Sequence, residues 1–195
     1  LPLKLRRSTK VARVRKNKKQ LGRSISERPE CINNRSEFGH WEADTVVGQK
    51  TKDDDVLLTL TERLTRKEII RKIPSKSSEA VMTALKTLID EAGPHFSTVF
   101  KSITSDNGSE FSDLSSLEPL TTIYFAHPYS SFERGTNERH NGLIRRFIPK
   151  GKRISDYSAK FITKIQTWCN SLPRKILDYL SPDEAFDDQL MLCIY

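Results

Sequence analysis

Between Trp41 and Thr104 the apolar residues follow a period of two, then a helical period, then a short unbroken run, and few architectures accept that succession. Trp41, Ala43, Thr45 and Val47 alternate up to Gly48, which predicts a strand carrying Asp44 on its opposite face. Past a polar turn at Lys50 to Asp55, Val56 to Leu60 and Lys67 to Ile73 read as two further strands, so the three form a meander. Pro74 closes the third strand and Ser77 or Ser78 can cap a helix. Its stripe of Val81, Ala84, Leu85, Leu88 and Ile89 stops at Gly93-Pro94. Val99 to Thr104 and Thr121 to Ala126 supply a fourth and fifth strand, separated by at most a short helix over Phe111 to Leu120. A helix over Phe132 to Phe147 ends at Pro149-Lys150-Gly151, and Phe161, Ile162, Ile165, Trp168, Cys169 and Leu172 mark another that stops at Pro173. This order implies an α/β domain with a mixed five-stranded sheet flanked by helices.

Charge divides the chain into two parts. Residues 1–37 hold 12 Lys+Arg against 3 Asp+Glu, a local excess of +9 in a chain whose total is +8, so the remainder is close to neutral. We expect a basic arm or linker over 1–37 and a folded core over 38–190. Such an arm suits phosphate backbones, because each neutralised phosphate releases a counterion, although a solvated leader has the same composition. Cys31, Cys169 and Cys193 are odd in number and widely spaced, and His40, His95, His127 and His140 lack metal-ligand spacing, so neither a disulfide framework nor a zinc site is expected. With no apolar run of membrane length and no secretory leader, a cytoplasmic protein is expected. A first residue of Leu1 rather than Met suggests a fragment.

Three acidic residues stand out against this background. Asp106 closes the fourth strand and precedes Asn107-Gly108, a pair suited to a tight turn; an Asx turn that only caps its own backbone is the plain alternative. Asp44 lies mid-strand, where an unpaired buried carboxylate costs several kcal/mol on the usual scale, so it needs an arginine, a metal or another partner. Glu42 shares its face and competes for its role. Glu138 falls on one helix face with Arg134, Asn141 and Arg145, and as an i,i+4 partner of Arg134 it would have only a minor role. If the three acids converge, their repulsion calls for a counter-charge, and hard oxygen ligands select Mg²⁺ or Mn²⁺. Two such ions suit in-line phosphoryl displacement. Arg134, Asn137, Asn141, Arg145, Arg146, Lys150, Lys152 and Arg153, with Asn107, form an amide-rich basic set suited to gripping DNA phosphates.

These residues resemble those of the DDE-type transposases, specifically the IS-thirty type of bacterial insertion-sequence transposase, relatives of the retroviral integrases. The likeness runs from about Glu27 to Phe186. It is carried by Phe38 to Val46, Ile73 to Lys76, Thr104 to Phe111, Tyr124 to Ser131, Arg134 to Glu138 with Pro149 to Gly151, Pro173 to Lys175, and Ser181 to Phe186. The resemblance implies a ribonuclease H-like fold, with Asp44, Asp106 and Glu138 as catalytic metal ligands. It also implies Mg²⁺-dependent strand cleavage and strand transfer on transposon ends and target DNA, and a homo-oligomer assembled on DNA in the bacterial nucleoid. A helix-turn-helix DNA-binding region upstream is implied as well, and this stretch does not contain it. Departures from the family pattern are Ala43 where Gly is common, Phe132 for Trp, and Glu133 for Gln, which makes Glu133 a rival to Glu138. A non-catalytic DNA-binding module derived from such a protein is the alternative reading.

Overall fold

The computed structural model describes residues 20–49, 51, 53–128, 130 and 135–194, without the side chains of residues 136, 138 and 194. Strands β1 (His40–Val47), β2 (Val56–Glu62) and β3 (Glu68–Ile73) form the expected antiparallel meander. Helix α1 (Ser78–Ala92) follows, then β4 (Ser102–Ser105) and β5 (Thr122–Phe125), and then helices α2 (Gly135–Ile144), α3 (Ala159–Ser171) and α4 (Pro182–Ile194). The sheet order is β3-β2-β1-β4-β5, with β4 parallel to both β1 and β5. The mixed five-stranded sheet expected from periodicity is therefore present, and β1 stands at its centre.

Alternation on β1 feeds two cores. Trp41 and Ala43 face one layer, where Val81, Ala84, Leu85 and Leu88 of α1 pack with Leu58, Leu60, Ile103 and Phe125. Val46 faces the other, with Leu57, Ile70, Ile144, Ile148, Ile162 and Ile165. Ser77 caps α1 by accepting the Ala80 N–H at 3.2 Å, and Gly93 ends it with φ +54°, a conformation that favours glycine. Ser158 caps α3 in the same manner, accepting from Phe161 at 3.2 Å.

Both edges of the sheet are covered. On β3, the N–H groups of Glu68 and Ile70 donate to Asn170 Oδ1 (2.8 Å) and Gln166 Oε1 (2.7 Å) of α3, so helix side chains take the place of a sixth strand. On β5, Phe125 N–H donates to Arg23 O at 2.8 Å. Residues 20–37, expected as arm, are thus laid against the core, and Ile25 and Ile32 are buried. The start of the fourth strand also differs from expectation. Phe96–Val99 is a helical turn whose Val99 carbonyl accepts Trp41 Nε1–H at 2.7 Å, and the strand begins only at Ser102. Phe96 and Phe100 stack at 4.8 Å in the core, and this apolar spacing at i,i+4 is helical rather than alternating.

Candidate active site

The site starts from the register of the two central strands. Parallel pairing sets His40 opposite Ser102 and Glu42 opposite Thr104. The pairing ends there and β4 ends at Ser105, but the same register carried two residues further would bring Asp44 and Asp106 to one face of neighbouring chain segments, about 4.8 Å apart in a regular sheet. Asp44 is half-buried. Its Oδ1 accepts the Thr45 N–H at 2.9 Å and its Oδ2 accepts Asn141 Nδ2–H at 2.9 Å. The second bond ties α2 to β1 at the acid itself.

Asp106 also forms the Asx turn weighed from the sequence, with Oδ1 accepting the Gly108 N–H at 2.8 Å. The turn and the placement beside Asp44 coexist, since the turn uses one carboxylate oxygen. Gly108 has φ −65°, so its role is not the positive φ that Asn-Gly suggests. A Cβ there would come within 2.7 Å of Asp106 Oδ1 and closer still to the Glu110 carboxylate, so glycine is required by space. Asn107 faces inward: its Oδ1 accepts the Leu21 N–H at 3.1 Å and its Nδ2 donates to Ala126 O.

Glu138 lies on α2, three residues before Asn141, and its side chain lies outside the described residues, as do Glu133 and Arg134. Among the described residues of the same helix two polar side chains are buried, Asn137 and His140, and the Nδ1 of His140 bonds Glu68 Oε2 on β3. Glu42 is buried and paired with Arg63, whose Nε–H donates to Ile32 O at 3.0 Å. Burial, with repulsion from Arg28, Arg35 and Arg66, pushes the Arg63 guanidinium down to about 9. Glu42 is thereby committed to an ion pair, which leaves Asp44 as the acid on that face of β1 not tied to Arg63.

The basic candidates divide by exposure. Arg145 is half-buried, donates to Val47 O at 2.8 Å, and has its pKa lowered by burial. Arg146, Lys150, Lys152 and Arg153 are exposed, and Arg146 lies over the Trp168 ring at 5.3 Å. Two features of this region carry no signal in the sequence, the Asn141–Asp44 bond and the His140–Glu68 pair, because each joins elements more than 70 residues apart. The carboxylate oxygens of Asp44 and Asp106, hard donors at neighbouring sheet positions, fit a hard divalent cation.

Over residues 34–131 the sequence matches the integrase core domain family. The chain belongs to that family. Similarity extends to transposases of bacterial insertion sequences. This integrase core is 45% identical over 187 residues to a probable transposase for an insertion-like sequence element from Streptococcus salivarius, covering 96% of this chain and 53% of that protein. It is 38% identical over 164 residues to the transposase for insertion sequence element IS4351 of Bacteroides fragilis, covering 83% and 48%. To transposase InsI for insertion sequence element IS30C of Escherichia coli (strain K12) it is 35% identical over 168 residues, covering 85% and 42%. The chain therefore spans about half the length of these relatives. Among solved structures, the catalytic core domain of BIV integrase superposes with a TM-score of 0.57 at 15% identity, covering 80% of this chain and 98% of that one. The integrase core thus has the ribonuclease H-like fold that the family resemblance implies. Among its described residues, no helix is long and apolar enough to cross a membrane.

Proposed function

We propose that the chain is the catalytic region of an insertion-sequence transposase, a nucleotidyl-transfer enzyme that cleaves DNA strands and joins them to a target, with Asp44, Asp106 and Glu138 as its carboxylates. The observation that carries this reading is the parallel β1–β4 register, which runs toward Asp44 on one strand and Asp106 just past the other, together with the bond from Asn141 of α2 to Asp44. A hard cation, Mg²⁺ or Mn²⁺ and two in number, held by these acids supplies activation of an attacking hydroxyl and charge neutralisation on the departing oxygen. The chain's own groups orient the acids. Asn141 Nδ2–H and Thr45 N–H fix the plane of the Asp44 carboxylate, and Gly108 N–H fixes that of Asp106. Glu138, about one turn ahead of Asn141 on the same helix, is the third carboxylate of this proposal.

Exposed Arg146, Lys150, Lys152 and Arg153 at the end of α2 and beyond it hold DNA phosphates by charge, while Asn107 and Arg145 serve as internal supports for the Asp106 turn and the end of β1. The partners are transposon ends and target DNA, the assembly is a homo-oligomer on that DNA, and the compartment is the bacterial cytoplasm. The relatives' transposase activity and the basic residues beside the acids support this.

The test is incubation of the chain with Mn²⁺ and end-labelled duplex carrying the terminal sequences that flank its gene. Nicked and joined products are expected from the native chain, and neither from Asp44→Asn, Asp106→Asn or Glu138→Gln with unchanged circular dichroism. Salt-sensitive binding without any nicking would overturn the catalytic reading in favour of a DNA-binding module. Nicking without joined products would reduce it to a nuclease. Loss of activity in Glu133→Gln but not in Glu138→Gln would exchange the third acid.

A further inference from the structure

We propose that Cys31, Glu37 and His40 bind a borderline-soft divalent metal ion of the zinc class where residues 30–37 meet the start of β1. The sequence offers no such motif, because the three residues are separated by five and two others and only the fold brings them together. Among the described residues, their ligand atoms all lie within 4.8 Å of one another. Cys31 Sγ and His40 Nε2 are each 3.2 Å from the same oxygen, Glu37 Oε2. Ligands about 2.0–2.3 Å from a tetrahedral zinc ion stand roughly 3.3–3.8 Å apart, so small side-chain shifts admit the ion.

The surroundings prepare each ligand. His40 is 6% exposed, its Nδ1 lies 2.7 Å from Ser102 Oγ, and its buried Nε2 makes no hydrogen bond despite its closeness to Glu37. With Ser102 Oγ accepting from Nδ1–H, the Nε2 lone pair faces the cluster, the usual arrangement of a ligating histidine. Lys101 Nζ takes the far oxygen, Glu37 Oε1, at 2.8 Å and leaves Oε2 turned to the cluster. That ammonium, followed by His40 and Cys31, holds the Glu37 carboxyl down at about 2, and burial keeps His40 below its ordinary range. Ligation requires the Cys31 thiolate, so binding releases the thiol proton to solvent. A thiolate, an imidazole and a carboxylate leave the fourth position to water, and this donor set selects against the hard ions suited to Asp44 and Asp106. His40 precedes Asp44 by four residues on β1, about 13 Å along a strand, so the two sites are separate.

The metal would clamp residues 30–37 to β1 and, through Ser102 and Lys101, to β4. The inference is independent of the transposase reading, since it needs neither DNA nor the catalytic acids. The test adds Co²⁺ alone to the metal-stripped chain. The expected result is one equivalent bound, with tetrahedral d–d bands and a thiolate-to-metal charge-transfer absorption that Zn²⁺ displaces. Cys31→Ser should abolish the charge-transfer band and weaken binding at least tenfold while keeping the native circular dichroism; Ser102→Ala should weaken binding about tenfold with the band retained. The double variant Asp44→Asn, Asp106→Asn should bind Co²⁺ as the native chain does. Zn²⁺ should raise the Tm of the native chain and not that of Cys31→Ser. Absence of the thiolate band at one equivalent, or a Co²⁺ spectrum unchanged by Cys31→Ser, overturns the proposal.

Discussion

Replacing Arg63 by Met separates the two roles open to acids on the buried face of β1. Arg63 and Glu42 are 5% and 1% exposed in their side chains, and Glu42 Oε2 already has no hydrogen-bond partner. Without Arg63, Glu42 becomes a buried acid that has lost its paired guanidinium. Its simplest escape at pH 7 is to take up a proton, at about 1.36 kcal/mol per unit over roughly 2.7 units from an ordinary 4.3, which is about 3.7 kcal/mol. The general cost of removing one partner of a buried pair, about 3–5 kcal/mol, agrees with this figure. The Arg63 bond to Ile32 O is lost as well, adding about 1 kcal/mol. In a domain of this size about 2–4 °C of Tm accompanies each kcal/mol, so Arg63→Met should lower Tm by about 9–19 °C. In the double variant Glu42→Met, Arg63→Met the orphaned acid is gone, and stability should return to within about 2 kcal/mol of native, because apolar replacement of a buried pair is often near neutral. Urea unfolding of the four proteins of the cycle measures the coupling, expected at 2 kcal/mol or more. A double variant no more stable than Arg63→Met, or a single substitution costing under about 1 kcal/mol, would refute the argument. If Glu42 is structural, the double variant also keeps nicking activity.

Three further outcomes follow from the same structure. Asn141→Ala should leave unfolding within about 1.5 kcal/mol of native while cutting activity 10–100-fold and raising the Mn²⁺ concentration required, as loss of an orienting bond to a ligand does; an unchanged Mn²⁺ titration would count against it. For Asp54, burial opposes ionisation, but the N–H groups of Ser155 and Ile154, the Ser155 hydroxyl and the Gln49 N–H outweigh it and hold the pKa below the ordinary 3.8. The stabilisation is thus fully present above that value and lost as pH falls through the folded pKa, so acid unfolding should be less steep in Asp54→Ala, which also costs about 3 kcal/mol at neutral pH. Gly48→Ala would place a methyl 2.7 Å from Asp54 Oδ2 and nearer still to the Lys152 carbonyl, and should destabilise by about 1–3 kcal/mol in urea unfolding.

What the sequence disclosed and what it withheld divide along the range of the interactions. Alternation at Trp41, Ala43 and Val47 and the stripe from Val81 to Ile89 are local, and the strands and helix they predict are present. Docking of residues 20–37 was hidden because Leu21, Ile25 and Ile32 follow no single period and pack one at a time. Val99 was read into the fourth strand from hydrophobicity alone, whereas Phe96 and Phe100 set a helical turn by stacking. At the site, Asp44 and Asp106 stood out because each breaks a local rule. The inward commitments of Asn107 and Arg145 did not, since nothing in a polar side chain's neighbours along the chain tells which way it points. The Cys31, Glu37 and His40 cluster was missed for a related reason: spacing rules recognise ligands on one helix or hairpin, and these sit on a short helix, a loop and a strand.

The parallel pairing of β1 with β4 bears on when the acidic pair comes into existence. The meander of β1 to β3 closes through short turns, but Asp44 and Asp106 lie 62 positions apart and meet only after α1 has crossed over and β4 has joined the sheet beside β1. Long-range parallel contacts of this kind bear a large loop-closure entropy before any contact rewards it. A nascent or locally frayed chain therefore holds the individual acids without bringing their strands together, and the activity proposed for this site is acquired and lost together with the cooperative fold.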